Sequence, residues 1–167
     1  MSFIKEISQK QKLYLNKQNF YSLMLIILIL FIDRISKLEI INYYSDHKIY
    51  INYFINFNLV WNTGIGFGLF STDTSLIYNI ITVLIAVVII ILFYVTINSD
   101  NLDKLIFTII IGGALGNFYD RVIYSAVPDF IDIHFNNFHW FTFNFADIFI
   151  SLGIIFFLIK DVFKKNA

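Results

Sequence analysis

Cysteine is absent from all 167 residues, which excludes disulfides, thiol catalysis and Cys-ligated metals. Proline occurs once and no Ser/Gly-rich stretch interrupts the chain, so a single domain over residues 1–167 is expected. Charge is scarce, at 14% of residues, and sums to zero. The basic patch that nucleic-acid binding requires is therefore missing. Apolar residues fill the space: 58% of the chain is hydrophobic, with a mean hydropathy of +0.72. A soluble domain is about half apolar and about a quarter charged. The composition predicts an integral membrane protein.

A basic arm opens the chain, with Lys5, Lys10, Lys12 and Lys17 against Glu6, and an apolar run over residues 20–32 follows. No small-residue cleavage site comes after it, so the run reads as an uncleaved spanning helix over about residues 20–41. Its outer half carries Asp33, Arg34, Lys37 and Glu39. Asp33 and Lys37 stand four apart on one helix face and can neutralise each other. Snorkelling at the interface is the plain explanation for this cluster; it suits Arg34 and Glu39 better than the short Asp33.

Over residues 49–62 the period changes to two. Ile51, Tyr53, Ile55, Phe57, Leu59 and Trp61 alternate with Asn52, Asn56, Asn58 and Asn62. Such alternation predicts a strand with one apolar face and one wet face, lying outside the first helix. Asn62, at the bend before Gly64, Gly66 and Gly68, is either a turn residue or an amide facing a ligand. The charge-free residues 76–97 predict a second span. A polar turn over residues 98–104 leads to a third span at about 105–119, where Gly112 and Gly116 would admit a close neighbour. Asn117, Asp120 and Arg121 follow at i, i+3 and i+4 on one face. A fourth span is expected at about 146–159.

The predicted fold class is therefore an all-α integral membrane protein, with four transmembrane helices and a small extramembrane β segment. With four spans, Lys104, Lys160, Lys164, Lys165 and the N-terminal arm fall on one side. The other side holds only Lys48 and Arg121, plus Arg34 and Lys37 at a helix end. The positive-inside rule then puts both termini in the cytoplasm and Asp129 and Asp147 at the outer face. The aromatic run FHWFTFNF before the last span suits an interfacial belt.

Residues 112–147 set Asn117, Asp120, Arg121, Asp129, Asp132, Asn144 and Asp147 among Phe, Ile, Val and Trp. Ionisable groups in such surroundings are candidates for function. Asn144 as helix cap and Asp147 as first-turn acid have an ordinary structural explanation. A second carboxylate, Asp129 in VPDF, raises another: two carboxylates in one poorly solvated site share a proton, as in an aspartic protease. Asp147, near a helix N-terminus, is expected to ionise more readily, and Asp129 to hold the proton. Other chemistries lack their signatures. Asp132, His134 and His139 have no zinc-type spacing, Ser151 has no evident base, and Tyr119-Asp120 lacks the GxGD partner of presenilin-type proteases. Asp120 beside Arg121 reads as a structural ion pair.

These residues have a recognisable order. DRISK at 33–37, NTGIGFG at 62–68, GGALGNFYDR at 112–121, VPDF at 127–130 and FNFAD at 143–147 resemble the bacterial lipoprotein signal peptidase (type II signal peptidase) family over nearly the whole chain. The resemblance implies an aspartic endopeptidase of the inner membrane. Its substrates would be diacylglyceryl-modified prolipoproteins, cut just before the lipidated cysteine. It further implies a catalytic dyad at Asp129 and Asp147, with supporting residues Asp33, Lys37, Asn62, Gly64, Asn117, Asp120, Arg121 and Asn144. Contact with membrane lipid, inhibition by globomycin, and no metal or cofactor are also implied. The family pattern usually reads DQxTK where Arg34 and Ser36 stand, has alanine at Gly66 and often has valine at Pro128. None of these departures touches the two aspartates, so they bear on substrate fit.

Two other classes are compatible with an apolar chain that carries a few acids. A proton-relay or transport subunit would use Asp33, Lys37, Asp120 and Asp129 as a polar path, yet the acids cluster at one face and the second span carries no charge. A purely structural scaffold would leave the acids without purpose.

Overall fold

The computed structural model describes residues 16–45, 47–64, 75–99, 101–136 and 138–165. It is mostly helical, with four helices and one small sheet among the described residues. Helix α1 spans Lys17–Tyr43, α2 Ser75–Ile97, α3 Asn101–Tyr124 and α4 Phe145–Lys165. Strands β1 (Ile49–Tyr50), β2 (Ile55–Asn62), β3 (Val127–Phe135) and β4 (Phe138–Phe143) form an antiparallel sheet in the order β1-β2-β3-β4. Two helical segments, Leu76–Ile97 and Asn101–Tyr124, are long and apolar enough to cross a membrane. Lys5, Glu6, Lys10, Lys12, Gly66 and Gly68 lie outside the described residues.

Helix α3 is the hub, packing against α1, α2 and α4. Its glycines make that closeness possible. A Cβ on Gly112 would meet Ile29 of α1 at 2.9 Å, and one on Gly116 would meet Asp33 Oδ2 at 2.5 Å. On the opposite side, a Cβ on Gly113 would stand 2.5 Å from the Ala146 carbonyl oxygen of α4. The expected small-residue contact is thus present, and Gly113 extends it to a second helix. The sheet is fixed to the helices by Ile40 at the end of α1, which packs with Phe130 and Ile131 of β3.

Several boundaries differ from the sequence expectation. Helix α1 begins earlier, at Lys17, because Asn16 caps it through bonds from the Gln18 and Asn19 N–H groups. The polar stretch 98–104 is not all turn: α3 starts at Asn101, and at its other end it carries Asp120 and Arg121 as far as Tyr124. Ser125 closes α3 with φ 54° and donates its N–H to the Arg121 carbonyl. Helix α4 continues through residues 160–165, since Lys and Asp are no obstacle to a helix.

The alternating segment is a hairpin rather than one strand. Asn52 Oδ1 accepts the Phe54 and Ile55 N–H groups at 2.8 and 2.9 Å and so folds the turn between β1 and β2. Its even positions are not a uniformly wet face. Asn56, opposite Asp132, and Asn62 are both buried, and a register shift between Phe57 and Val60 re-aims the part of the strand that carries Asn62. Residues 122–145, undecided from sequence, supply β3 and β4.

Gly113→Val is expected to lower thermal stability in detergent, by an overpacking cost of about 1–3 kcal/mol. A melting curve unchanged from wild type would show that α3 and α4 are not held at this spacing.

Candidate active site

The site forms where the end of α3, the start of β3 and the start of α4 converge under the bend that ends β2. Asp129 enters from β3 and is 2% exposed; Asp147 enters from the first turn of α4 and is 8% exposed. Three asparagines connect them to the scaffold, and each uses both ends of its amide or its own backbone.

Asn144 immediately precedes α4. Its Oδ1 accepts the Asp147 N–H at 3.1 Å, and its own N–H donates to Asp147 Oδ2 at 3.2 Å. This is a reciprocal capping box, with aspartate in the place of the usual glutamate. The remaining Nδ2 of Asn144 donates to Asp129 Oδ1 at 2.5 Å. The cap therefore links the two carboxylates. Asn62 behaves likewise: Oδ1 accepts the Gly64 N–H at 2.8 Å, and Nδ2 donates to Asp129 Oδ2 at 2.8 Å. Asn62 is thus the turn residue, and its amide nitrogen faces a carboxylate of the protein.

Asn117 donates Nδ2 to Asp147 Oδ1 at 2.7 Å. Its orientation is dictated from behind. Lys37, fully buried, donates to Asn117 Oδ1 at 2.9 Å, to Asp33 Oδ2 at 2.8 Å and to Asp120 Oδ2 at 2.7 Å. An ammonium has three protons and accepts nothing, so all three are placed and the amide must face it oxygen-first. Asp33 also accepts the Ala146 N–H through Oδ1 at 2.9 Å, an approach that the bare Gly116 permits. Lys37 is thus no snorkelling residue; it lies inside, because two carboxylates and an amide replace its water.

The expected Asp120–Arg121 pair is not formed. Asp120 pairs with Lys37 and with Arg34, whose guanidinium also lies over the Tyr119 and Tyr124 rings. Adjacent residues on a helix point about 100° apart, and Arg121 turns instead to the Gly64 carbonyl, 2.7 Å away, and to the Asn117 carbonyl, 3.2 Å away. It clamps the bend that carries Asn62. Ser36 donates to the Asp33 carbonyl at 2.8 Å, and Pro128 stands opposite Trp61 in the sheet. Among the described residues, every expected site residue belongs to this one network. Tyr78, at the first turn of α2, was not foreseen: its hydroxyl donates to the Arg121 carbonyl at 3.1 Å. A tyrosine near the start of a charge-free span was its only signal in the sequence. Asp132 is elsewhere, facing His139 Nδ1 at 2.8 Å, with the His134 ring tilted against that of His139 at 5.3 Å. No group of three ligands there could hold a metal among the described residues.

Burial pushes the Asp129 carboxyl up to about 7, and the charge of Asp147 adds to the rise; the Asn62 and Asn144 amides pull the other way. Among the described residues, two openings border Asp147. One, about 390 Å³, lies among α2, α3 and α4. The other, about 280 Å³, lies between β4 and α4.

The model of signal peptidase (SPase) II matches residues 25–163. The chain belongs to the signal peptidase II family. It is 49% identical over 156 residues to the lipoprotein signal peptidase of Pelagibacter ubique (strain HTCC1062), covering 91% of this chain and 94% of that one. It is 41% identical over 137 residues to the lipoprotein signal peptidase of Anaplasma phagocytophilum (strain HZ), covering 81% and 87%. A solved bacterial membrane enzyme matches the fold with TM-score 0.72 and 27% identity, over 88% of this chain and 90% of that chain.

Two outcomes follow from the site. Lys37→Met leaves Asp33 and Asp120 under-compensated and is expected to cost about 3–5 kcal/mol, more than Lys37→Arg; denaturation in detergent measures it, and equal losses in the two variants would count against the buried cation. For Asp129, the native group holds its proton to about pH 7, whereas the unfolded one releases it near pH 3.9. The native state therefore binds more protons between these values, and its stability falls as pH rises through them. Relative to Asp129→Asn, the wild type is expected to lose thermal stability from about pH 4 to about pH 7. Parallel pH profiles for the two proteins would contradict a raised Asp129.

Proposed function

We propose that this protein is an aspartic endopeptidase of the bacterial inner membrane that removes the signal peptide from diacylglyceryl-modified prolipoproteins, cutting just before the lipidated cysteine. One observation carries the reading: two buried carboxylates, Asp129 and Asp147, are joined through Asn144, and Asp147 borders two apolar openings. The relatives' name, lipoprotein signal peptidase, supplies the substrate class.

The chemistry follows from the shared proton. Asp147, ionised at the positive end of α4, takes a proton from a water molecule. The water oxygen bonds to the scissile carbonyl carbon, and Asp129, which holds its proton, donates it to the carbonyl oxygen. Collapse of the tetrahedral intermediate breaks the C–N bond. The proton on Asp147 then goes to the leaving nitrogen, and Asp129 recovers its own. Asn62, Asn117 and Asn144 hold the carboxylates in place, Lys37, itself held by Asp33 and Asp120, holds Asn117, and Arg121 with Gly64 holds Asn62.

All four helices cross the bilayer in this reading, with both termini cytoplasmic and the aspartates at the outer face. Charge distribution supports that orientation, and the exposed aromatics of β4 suit a position at an interface. The hairpin of β1 and β2 then forms the wall beside the substrate. Phe57 is a poor test of that wall because it packs against Phe130, whereas Tyr53, 79% exposed, is free to be replaced. Membrane lipid surrounds the helices, and globomycin competes for the same site.

Purified protein with a diacylglyceryl prolipoprotein is expected to release the signal peptide in a gel-shift assay. Asp129→Asn and Asp147→Asn should each lower kcat on the order of 10³-fold or more while remaining folded. Activity should fall as pH rises through about 7, as Asp129 loses its proton. Substantial cleavage by either variant would move the chemistry to other residues.

A further inference from the structure

Helix α4 separates the two openings at the site. Ile150 and Ile154 face the larger one, with Val88 of α2 and Ile110 of α3; Ile148 and Leu152 face the smaller one, with Phe141 and Phe143 of β4. Asp147 and Ser151, one turn apart, line both. At about 100° per residue, the two sets mark neighbouring faces of α4 with Asp147 and Ser151 on the edge between them. The result is a fork whose arms diverge from a carboxylate.

The arms differ in shape. The larger runs along three helices, from Asn117 and Arg121 down to Ile110 on α3, a length of about 16 Å at the helical rise. Apart from its upper end it is lined by aliphatic side chains, which suits an apolar helical segment. The smaller is short, bounded by the rings of Phe141 and Phe143, and Phe141 and Leu152 remain about two-fifths exposed at its edge (43% and 42%). Flexible methylene chains can enter such a slot and leave it sideways, each buried CH₂ contributing about 0.8 kcal/mol.

We propose that the β4–α4 groove receives the diacylglyceryl chains of the substrate, while the α2–α3–α4 groove receives its signal segment, so that the substrate straddles α4 at Asp147. The proposal rests on the peptidase reading and deepens it. In that substrate the apolar peptide arm ends at the scissile bond, and the next residue carries the acyl arm on its sulfur. The two arms thus diverge within one residue, as the grooves do. A single groove would have to hold both arms side by side.

Photo-crosslinking in the full-length Asp129→Asn protein tests this without needing turnover. Synthetic diacylglyceryl lipopeptides carry a diazirine either at the end of an acyl chain or within the signal segment, and labelled residues are mapped by mass spectrometry. The acyl probe is expected to mark β4 and the Ile148–Leu152 side of α4, and the peptide probe α2 and α3. Leu152→Trp should remove most of the acyl label and spare the peptide label; Val88→Trp should do the reverse. Acyl label on α2 or α3, or none on β4 and α4 in the unfilled protein, would overturn the proposal. The expected labelling pattern combined with a wild type unable to cleave would uphold the fork and reject the peptidase reading instead.

Discussion

The ammonium group of Lys37 is the constraint on which the interior depends. A cation without water must be surrounded by acceptors, and here Asp33, Asn117 and Asp120 take its three protons. Each of those partners then has a second engagement. Asp33 holds the backbone of Ala146 at the start of α4, Asn117 holds Asp147, and Asp120 holds Arg34. One buried charge thereby ties α1 to α3, and both to the helix that carries a candidate catalytic carboxylate. The glycines of α3 belong to the same arrangement, since Gly116 leaves the room through which Asp33 reaches across.

A comparable economy governs the asparagines. An amide carries donors at one end and an acceptor at the other, and in a dry site neither can be left idle. Asn62 and Asn144 turn their oxygens to backbone N–H groups and their nitrogens to Asp129. Aspartate at these positions would offer no donor and would add charge beside a carboxyl that burial already raises. The choice of amide over acid is therefore dictated by the site's electrostatics.

Much of this was legible in the chain itself. The four helices follow from long apolar runs, the Gly112 and Gly116 contact from small-residue spacing, and the shared face of Asn117 and Asp120 from helical periodicity. The motif resemblance gathered Asp129, Asp147 and their supporters before any geometry was known. Less legible was whatever tertiary packing decides. Alternation in residues 49–62 marked extended chain, but it could not show that Asn52 folds a turn or that Asn56 and Asn62 are buried. Adjacency suggested a bond between Asp120 and Arg121, although neighbours on a helix diverge and the partners come from α1 and the β2 bend. Of the three acceptors of Lys37, helical spacing pointed to Asp33 alone; Asn117 and Asp120 lie about 80 residues further along the chain.

The capping box at Asn144 and Asp147 has a consequence for how the molecule matures. The residue that starts α4 also links the two carboxylates: Asn144 caps the helix together with Asp147 and reaches Asp129 with the amide nitrogen that the cap leaves over. A chain whose last helix has docked out of register leaves Asp129 without its Asn144 partner and keeps the two aspartates apart. Assembly of the site is in this way tied to a single turn of helix.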